Sequence, residues 1–131
     1  MSDSQQPIHV IRLHAAWHRT ERDHDIVLSQ RASLTLPDTT PVDPASTSLT
    51  YVRRFNSPTG LDASSRVQFS CAMVAVAYFV EFNGVRFDVR PSSLIDLTER
   101  LGKHNEIVIC VPVGEREIIR GASAQLLITS S

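Results

Sequence analysis

The stretch Val76-Ala77-Tyr78-Phe79-Val80-Glu81-Phe82-Asn83-Gly84-Val85-Arg86-Phe87-Asp88-Val89 decides the fold. Val76, Tyr78, Val80 and Phe82 recur at every second residue, and Val85, Phe87 and Val89 resume the alternation after Asn83-Gly84. Period two marks a strand with one buried face. Asn-Gly between two such runs predicts a type I′ hairpin, because both central residues of that turn take positive φ. The turn sets the register: Phe82 opposes Val85, Glu81 opposes Arg86 and Val80 opposes Phe87. The Glu81–Arg86 ion pair falls on the outer face and adds only about 0.3 kcal/mol, so turn and apolar face carry the register.

Outward from the hairpin, the chain reads as short strands parted by turns. Ile8, Val10, Ile11 and Leu13 predict a first strand, followed by a polar stretch around the single tryptophan, Trp17. Val27-Leu28 and Ala32-Ser33-Leu34-Thr35-Leu36 run up to Pro37, which has no N–H for a ladder and stops the strand. Residues 38–48 hold Pro41 and Pro44 among Thr, Asp and Ser and read as an extended loop. Tyr51-Val52-Arg53-Arg54-Phe55 alternates again. Downstream, residues 96–102 predict one helical turn, capped by Asp96 and closed by Gly102 at positive φ. Residues 107–111 are apolar on both faces, as in a covered central strand, and residues 122–129 supply a last strand. No long segment keeps a 3.6-residue period. The expectation is an all-β antiparallel β-sandwich or barrel.

The chain of 131 residues fits one domain, residues 1–131, with a core large enough to need no staple. With 13 basic and 14 acidic side chains its net charge is −1, so no overall field draws nucleic acid or an anionic membrane. No apolar run reaches the about 18 residues of a membrane span. The first six residues are polar and lack a basic–apolar leader, from which a cytoplasmic location is expected. Cys71 and Cys110 each sit inside an apolar run and read as buried thiols rather than a bridge.

The order of these pieces resembles the sugar-binding domain of family 2 glycoside hydrolases. The resemblance is carried by Leu13-His14-Ala15-Ala16-Trp17, by Tyr51-Val52-Arg53-Arg54-Phe55 with Pro58, and by Phe79-Val80-Glu81-Phe82-Asn83-Gly84. It continues through Ile95-Asp96-Leu97-Thr98 with Leu101 and Asn105-Glu106-Ile107-Val108-Ile109. It implies a jelly-roll sandwich of the galactose-binding-like class, which in β-galactosidases and β-glucuronidases precedes the catalytic barrel. In that pattern Asn83-Gly84 turns the hairpin, Asp96 and Thr98 pin a corner, and Asn105 directs the chain into the next strand. A chain of 131 residues has no room for the barrel and its hydrolytic carboxylates, so a non-catalytic module is expected. In β-galactosidases the loop after the hairpin lends an acid to the sugar site; Asp88 is the only acid between Gly84 and Asp96.

The candidate ligand contacts are therefore Asp88, Arg90 and Trp17, with a carbohydrate as the candidate ligand. Trp17 has two readings, a ring for stacking on a sugar or a core side chain. The rival to sugar binding is a protein partner or a second copy of the chain. Arg53-Arg54 on a strand must point to opposite faces, with Asp62 or Glu81 as candidate partners and a phosphate or sugar acid as an alternative. His14, His18 and His24 stand near enough to suggest a metal, but no His-Glu-x-x-His spacing accompanies them. No Gly-x-Ser-x-Gly elbow and no phosphate-cradling glycine loop occurs, so no cofactor is expected.

Overall fold

The computed structural model describes residues 6–87 and 92–130. Asp88, Val89 and Arg90, on which two of the candidate contacts fall, lie outside the described residues. Strand β1 (Gln6–Arg12) lies in a first sheet, and β2 (Trp17–Asp23), β3 (Ile26–Leu34) and β4 (Ser48–Asn56) lie in a second. The chain returns to the first sheet with β5 (Ser65–Cys71). It crosses back for β6 (Phe79–Phe82) and β7 (Val85–Phe87), and alternates again through β8 (Leu94–Asp96), β9 (His104–Pro112) and β10 (Ala124–Ser130). The order is β1-β10-β5-β8 in one layer and β3-β2-β4-β9-β6-β7 in the other, with every pairing antiparallel. This is the expected antiparallel β-sandwich. One short helix, α1 (Arg116–Gly121), buries Ile119 between β9 and β10 in sequence.

The inner faces follow from register. In the first sheet Ile11 opposes Leu126, Leu126 opposes Phe69 and Phe69 opposes Ile95. In the second, Tyr51 opposes Ile109 and Ile109 opposes Val80. Phe69, Tyr51, Ile109 and Val80 are fully buried, and each such side chain stabilises the fold by about 1.5–3 kcal/mol relative to exposure. β9 runs between β4 and β6 as the central strand expected of residues 107–111.

The hairpin forms as read. Asn83 and Gly84 take φ of 51° and 81°, and Val80, Glu81 and Phe82 pair with Phe87, Arg86 and Val85. The alternation upstream of it does not extend as far as expected. Residues Ala72–Val76 form a 3-10 turn, the Ala77 N–H donates to Val74 O, and the strand starts only at Phe79. The change of backbone direction breaks the phase, so Val80 and Phe82 are buried while Tyr78 is 63% exposed. The turn at residues 96–102 shrinks to a 3-10 helix over Thr98–Arg100. Its N-cap position is Leu97, not the expected Asp96; Asp96 stands one residue earlier and forms an Asx turn, accepting from Thr98 N at 2.9 Å and Thr98 Oγ1 at 2.6 Å. Gly102 is not at positive φ; the Asn105 side chain closes this corner instead, accepting from Gly102 N at 2.8 Å.

The resemblance's polar residues form one bonded corner. Asn83 Nδ2 donates to Asn105 Oδ1 and to Arg100 O, and Asn83 Oδ1 accepts from Glu106 N. Thr98 Oγ1 accepts from Val67 N, tying the corner to β5. Asn105, 3% exposed, also donates to Phe55 O on β4. Hairpin, corner and two strands are thereby held in one relation, which fixes where β4 and β9 present their outer side chains.

Candidate functional site

β2 has few apolar side chains; it pairs with β3 and β4, and charged side chains complete its inward face. Trp17, Arg19 and Glu21 point inward, alternating with His18, Thr20 and Arg22. Arg19 is fully buried and donates to Asp38 Oδ2 at 2.6 Å, Thr40 Oγ1 at 2.7 Å, Glu21 Oε2 at 3.0 Å and Pro41 O at 2.9 Å. Tyr51 Oη donates to the same Asp38 oxygen at 2.6 Å. Glu21 accepts from Ser29 Oγ, Ser46 Oγ and the Asp43 N–H. The proline-containing loop is thus ordered by ionic contacts to β2, closing the sandwich where sheet cover ends. Burial alone would raise the Asp38 and Glu21 pKa values. The hydrogen bonds they accept, with Arg19 beside them, outweigh burial and hold both below the ordinary carboxylate range.

Fixing the inner face of β2 fixes its outer face. His18 pairs with Val52, Thr20 with Thr50 and with Gln30, and Arg54 with Glu106. These side chains share the outer face of the second sheet, and all but Thr50 line a groove of about 620 Å³. That volume lies in the range of about 300–1,000 Å³ usual for small-molecule sites. Its lining brings together an imidazole (His18), a hydroxyl (Thr20), an amide (Gln30), a guanidinium (Arg54) and a carboxylate (Glu106), with Val52 and Ala16 as apolar surface. Arg54 Nε donates to Glu106 Oε2 at 2.9 Å, and the Arg54 side chain is 84% exposed. Such a set donates to and accepts from vicinal hydroxyls while an apolar strip meets C–H groups. It contains one carboxylate among the described residues, whereas glycoside hydrolysis uses two facing one bond.

No known protein family and no curated protein matches this sequence. Solved structures do. The chain superimposes on part of the β-glucuronidase from Ruminococcus gnavus in complex with N1-substituted uronic isofagomine. The TM-score is 0.66 and the identity 10%, over 99% of this chain and 30% of that one. The FMN-binding β-glucuronidase from Facaelibacterium prausnitzii L2-6 gives a TM-score of 0.61 at 18% identity, over 92% of this chain and 22% of that one. A β-glycosidase from Bacteroides vulgatus gives 0.62 at 16% identity, over 93% and 20%. The fold is that of one domain within larger glycosidases. At these identities the likeness is one of fold, and the chain spans less than a third of each enzyme.

Against this frame, the expected residues part company. Trp17 is fully buried, donates its indole N–H to Leu13 O at 2.5 Å and packs on Phe69 with centroids 6.4 Å apart. Its ring has no free face for a sugar, because the inward phase of β2 that holds Arg19 also turns Trp17 into the core. Arg53 and Arg54 do point apart, but neither meets Asp62 or Glu81. Arg53 Nε donates to Ala15 O at 2.6 Å, and Arg54 takes Glu106, its direct neighbour across β4 and β9. Glu81 pairs with Arg86 at 3.0 Å as the hairpin register requires. Among the described residues no group of three His, Cys, Asp or Glu side chains could hold a metal; His24 sits exposed at a positive-φ turn. Both cysteines are free and buried, and burial pushes the Cys71 thiol up to about 11. The groove itself was missed by sequence reasoning. Its one local signal is the Val52–Arg54 alternation on β4.

Proposed function

We propose that this chain is a non-catalytic carbohydrate-binding module of the kind found in family 2 glycoside hydrolases, with the outer groove of the second sheet as its sugar site. The groove carries this reading, because it offers donors, acceptors and an apolar strip together on rigid strands. The single carboxylate among the described lining residues, tied to Arg54, supports binding over bond cleavage. The fold likeness to domains of glycosidases agrees with it. The test is a glycan array followed by NMR titration with galactose, glucuronate and oligosaccharides. Shifts are expected at the amides of His18, Thr20, Val52 and Arg54, with Arg54→Ala weakening binding about tenfold through loss of a charge-assisted bond. Absence of any shift at millimolar sugar overturns the reading.

A second reading, an assembly domain, rests on β3. This edge strand is exposed over most of its length, with Ile26 66% and Val27 45% exposed. An uncovered edge is a template for pairing with another chain. Light scattering at micromolar concentration separates the two: a strict monomer removes assembly and leaves sugar binding.

A further inference from the structure

Resting on the sugar-binding reading, we propose that the groove continues past the Arg54–Glu106 pair into a second subsite, and that its ligand is an oligosaccharide rather than a single sugar. A second depression of about 310 Å³ shares Arg54 and Glu106 with the first as lining and adds Asn56, Asn83 and His104. Arg54 and Glu106 therefore form the wall between two hollows on neighbouring strand ends. The wall is soft. Both side chains are solvent-facing, at 84% and 40% exposure, and a pair screened by water holds its geometry weakly.

The second hollow has its own polar set. His104 Nδ1 and Asn56 Oδ1 lie 3.0 Å apart, which orients both side chains. Among the described residues, Asn56 Nδ2, His104 Nε2 and the terminal nitrogens of Arg54 have no partner; the amide and guanidinium can donate to a hydroxyl oxygen, and Nε2 of the neutral ring can accept from a hydroxyl. Asn83, by contrast, spends its amide on Arg100 O, Asn105 and Glu106 N and serves as a fixed wall. Two hollows joined over a low wall, each with free hydrogen-bonding groups, suit a chain of linked hydroxylated rings. A monosaccharide occupies the first and larger hollow alone, away from Asn56 and His104.

The experiment compares galactose with β-1,4-linked galactotetraose, and glucuronate with its β-1,4-linked tetramer, by NMR titration of the intact chain. The tetramer of the sugar that binds is expected to bind at least about tenfold tighter than the monomer, since the second contact is made within one complex. It should also shift the amides of Asn56 and His104, which the monomer leaves unmoved. His104→Ala, at an exposed side chain bonded among the described residues only to Asn56, is expected to remove most of that gain and to leave the affinity of a monomer in the first hollow unchanged. Equal affinity for monomer and tetramer, with shifts confined to His18, Thr20, Val52 and Arg54, overturns the second subsite while the sugar-binding reading stands. No shift with any of the four sugars overturns both.

Discussion

At the scale of single residues, Asp38 carries more of the structure than its place in a polar loop suggests. It accepts from Arg19, Tyr51, the Thr40 hydroxyl and the Thr40 N–H, and is 2% exposed. Removing its charge leaves Arg19 buried with one carboxylate fewer, and breaking a buried pair from one side typically costs about 3 kcal/mol. Asp38→Asn is expected to lower the unfolding free energy by that much at neutral pH, read from urea unfolding as a lower midpoint at unchanged m. The acid dependence has a definite sign. Asp38 and Glu21 are held below their ordinary values in the folded state, so near pH 4 the unfolded chain binds more protons than the folded one. Their contribution is complete above the unfolded pKa values of about 3.9 and 4.3 and is lost as pH falls through the lower folded values. Denaturant midpoints followed from neutral pH downward should therefore hold steady and then drop below about pH 4, with a shallower drop in Asp38→Asn. An equal drop in both proteins would assign acid sensitivity to other groups.

At the scale of elements, what was legible in the sequence was whatever a few neighbouring residues decide. The β6–β7 hairpin is such a case. Asn83-Gly84 supplies two positive-φ residues, and the register of three residue pairs follows from the turn. A Cβ on Gly84 would meet nothing within 4 Å, so the cost of a side chain there is conformational alone. Gly84→Val is expected to lose about 1–2 kcal/mol by urea unfolding, and a neutral result would mean the turn accepts another conformation. The corner pinned by Asp96 and Thr98 was legible for the same reason, although Asp96 sits one residue before the N-cap expected of it. β2 was not, because Trp17–Asp23 has no apolar alternation to read: its inward face is completed by Arg19 and Glu21. Those charges make sense only once Asp38, 19 residues further on, folds over them. The groove was hidden by a related cause. Its lining comes from β2, β3, β4 and β9, and only the register of those strands puts His18 beside Val52 and Arg54 beside Glu106. No local pattern encodes a pairing between positions that far apart.

At the scale of the whole molecule, the two sheets share one core, so they should separate together. Cys71 reports on this. It ends β5 in the first sheet, pairs with Ala124 and is 1% exposed. Burial raises its thiol to about 11, so a disulfide reagent near pH 8 meets almost no thiolate until the site opens. In a Cys110→Ala background, labelling should follow the fraction of molecules that are open, provided closing outpaces reaction. Asp38 and Gly84 lie in segments attached to the other sheet. If opening is global, Asp38→Asn should still speed Cys71 labelling by about a hundredfold, and Gly84→Val by about fivefold to thirtyfold. These factors are the stability losses above converted at about 1.4 kcal/mol per tenfold. Rates unchanged by either substitution would mean that β5 opens by a local route and that the sandwich is not one cooperative unit.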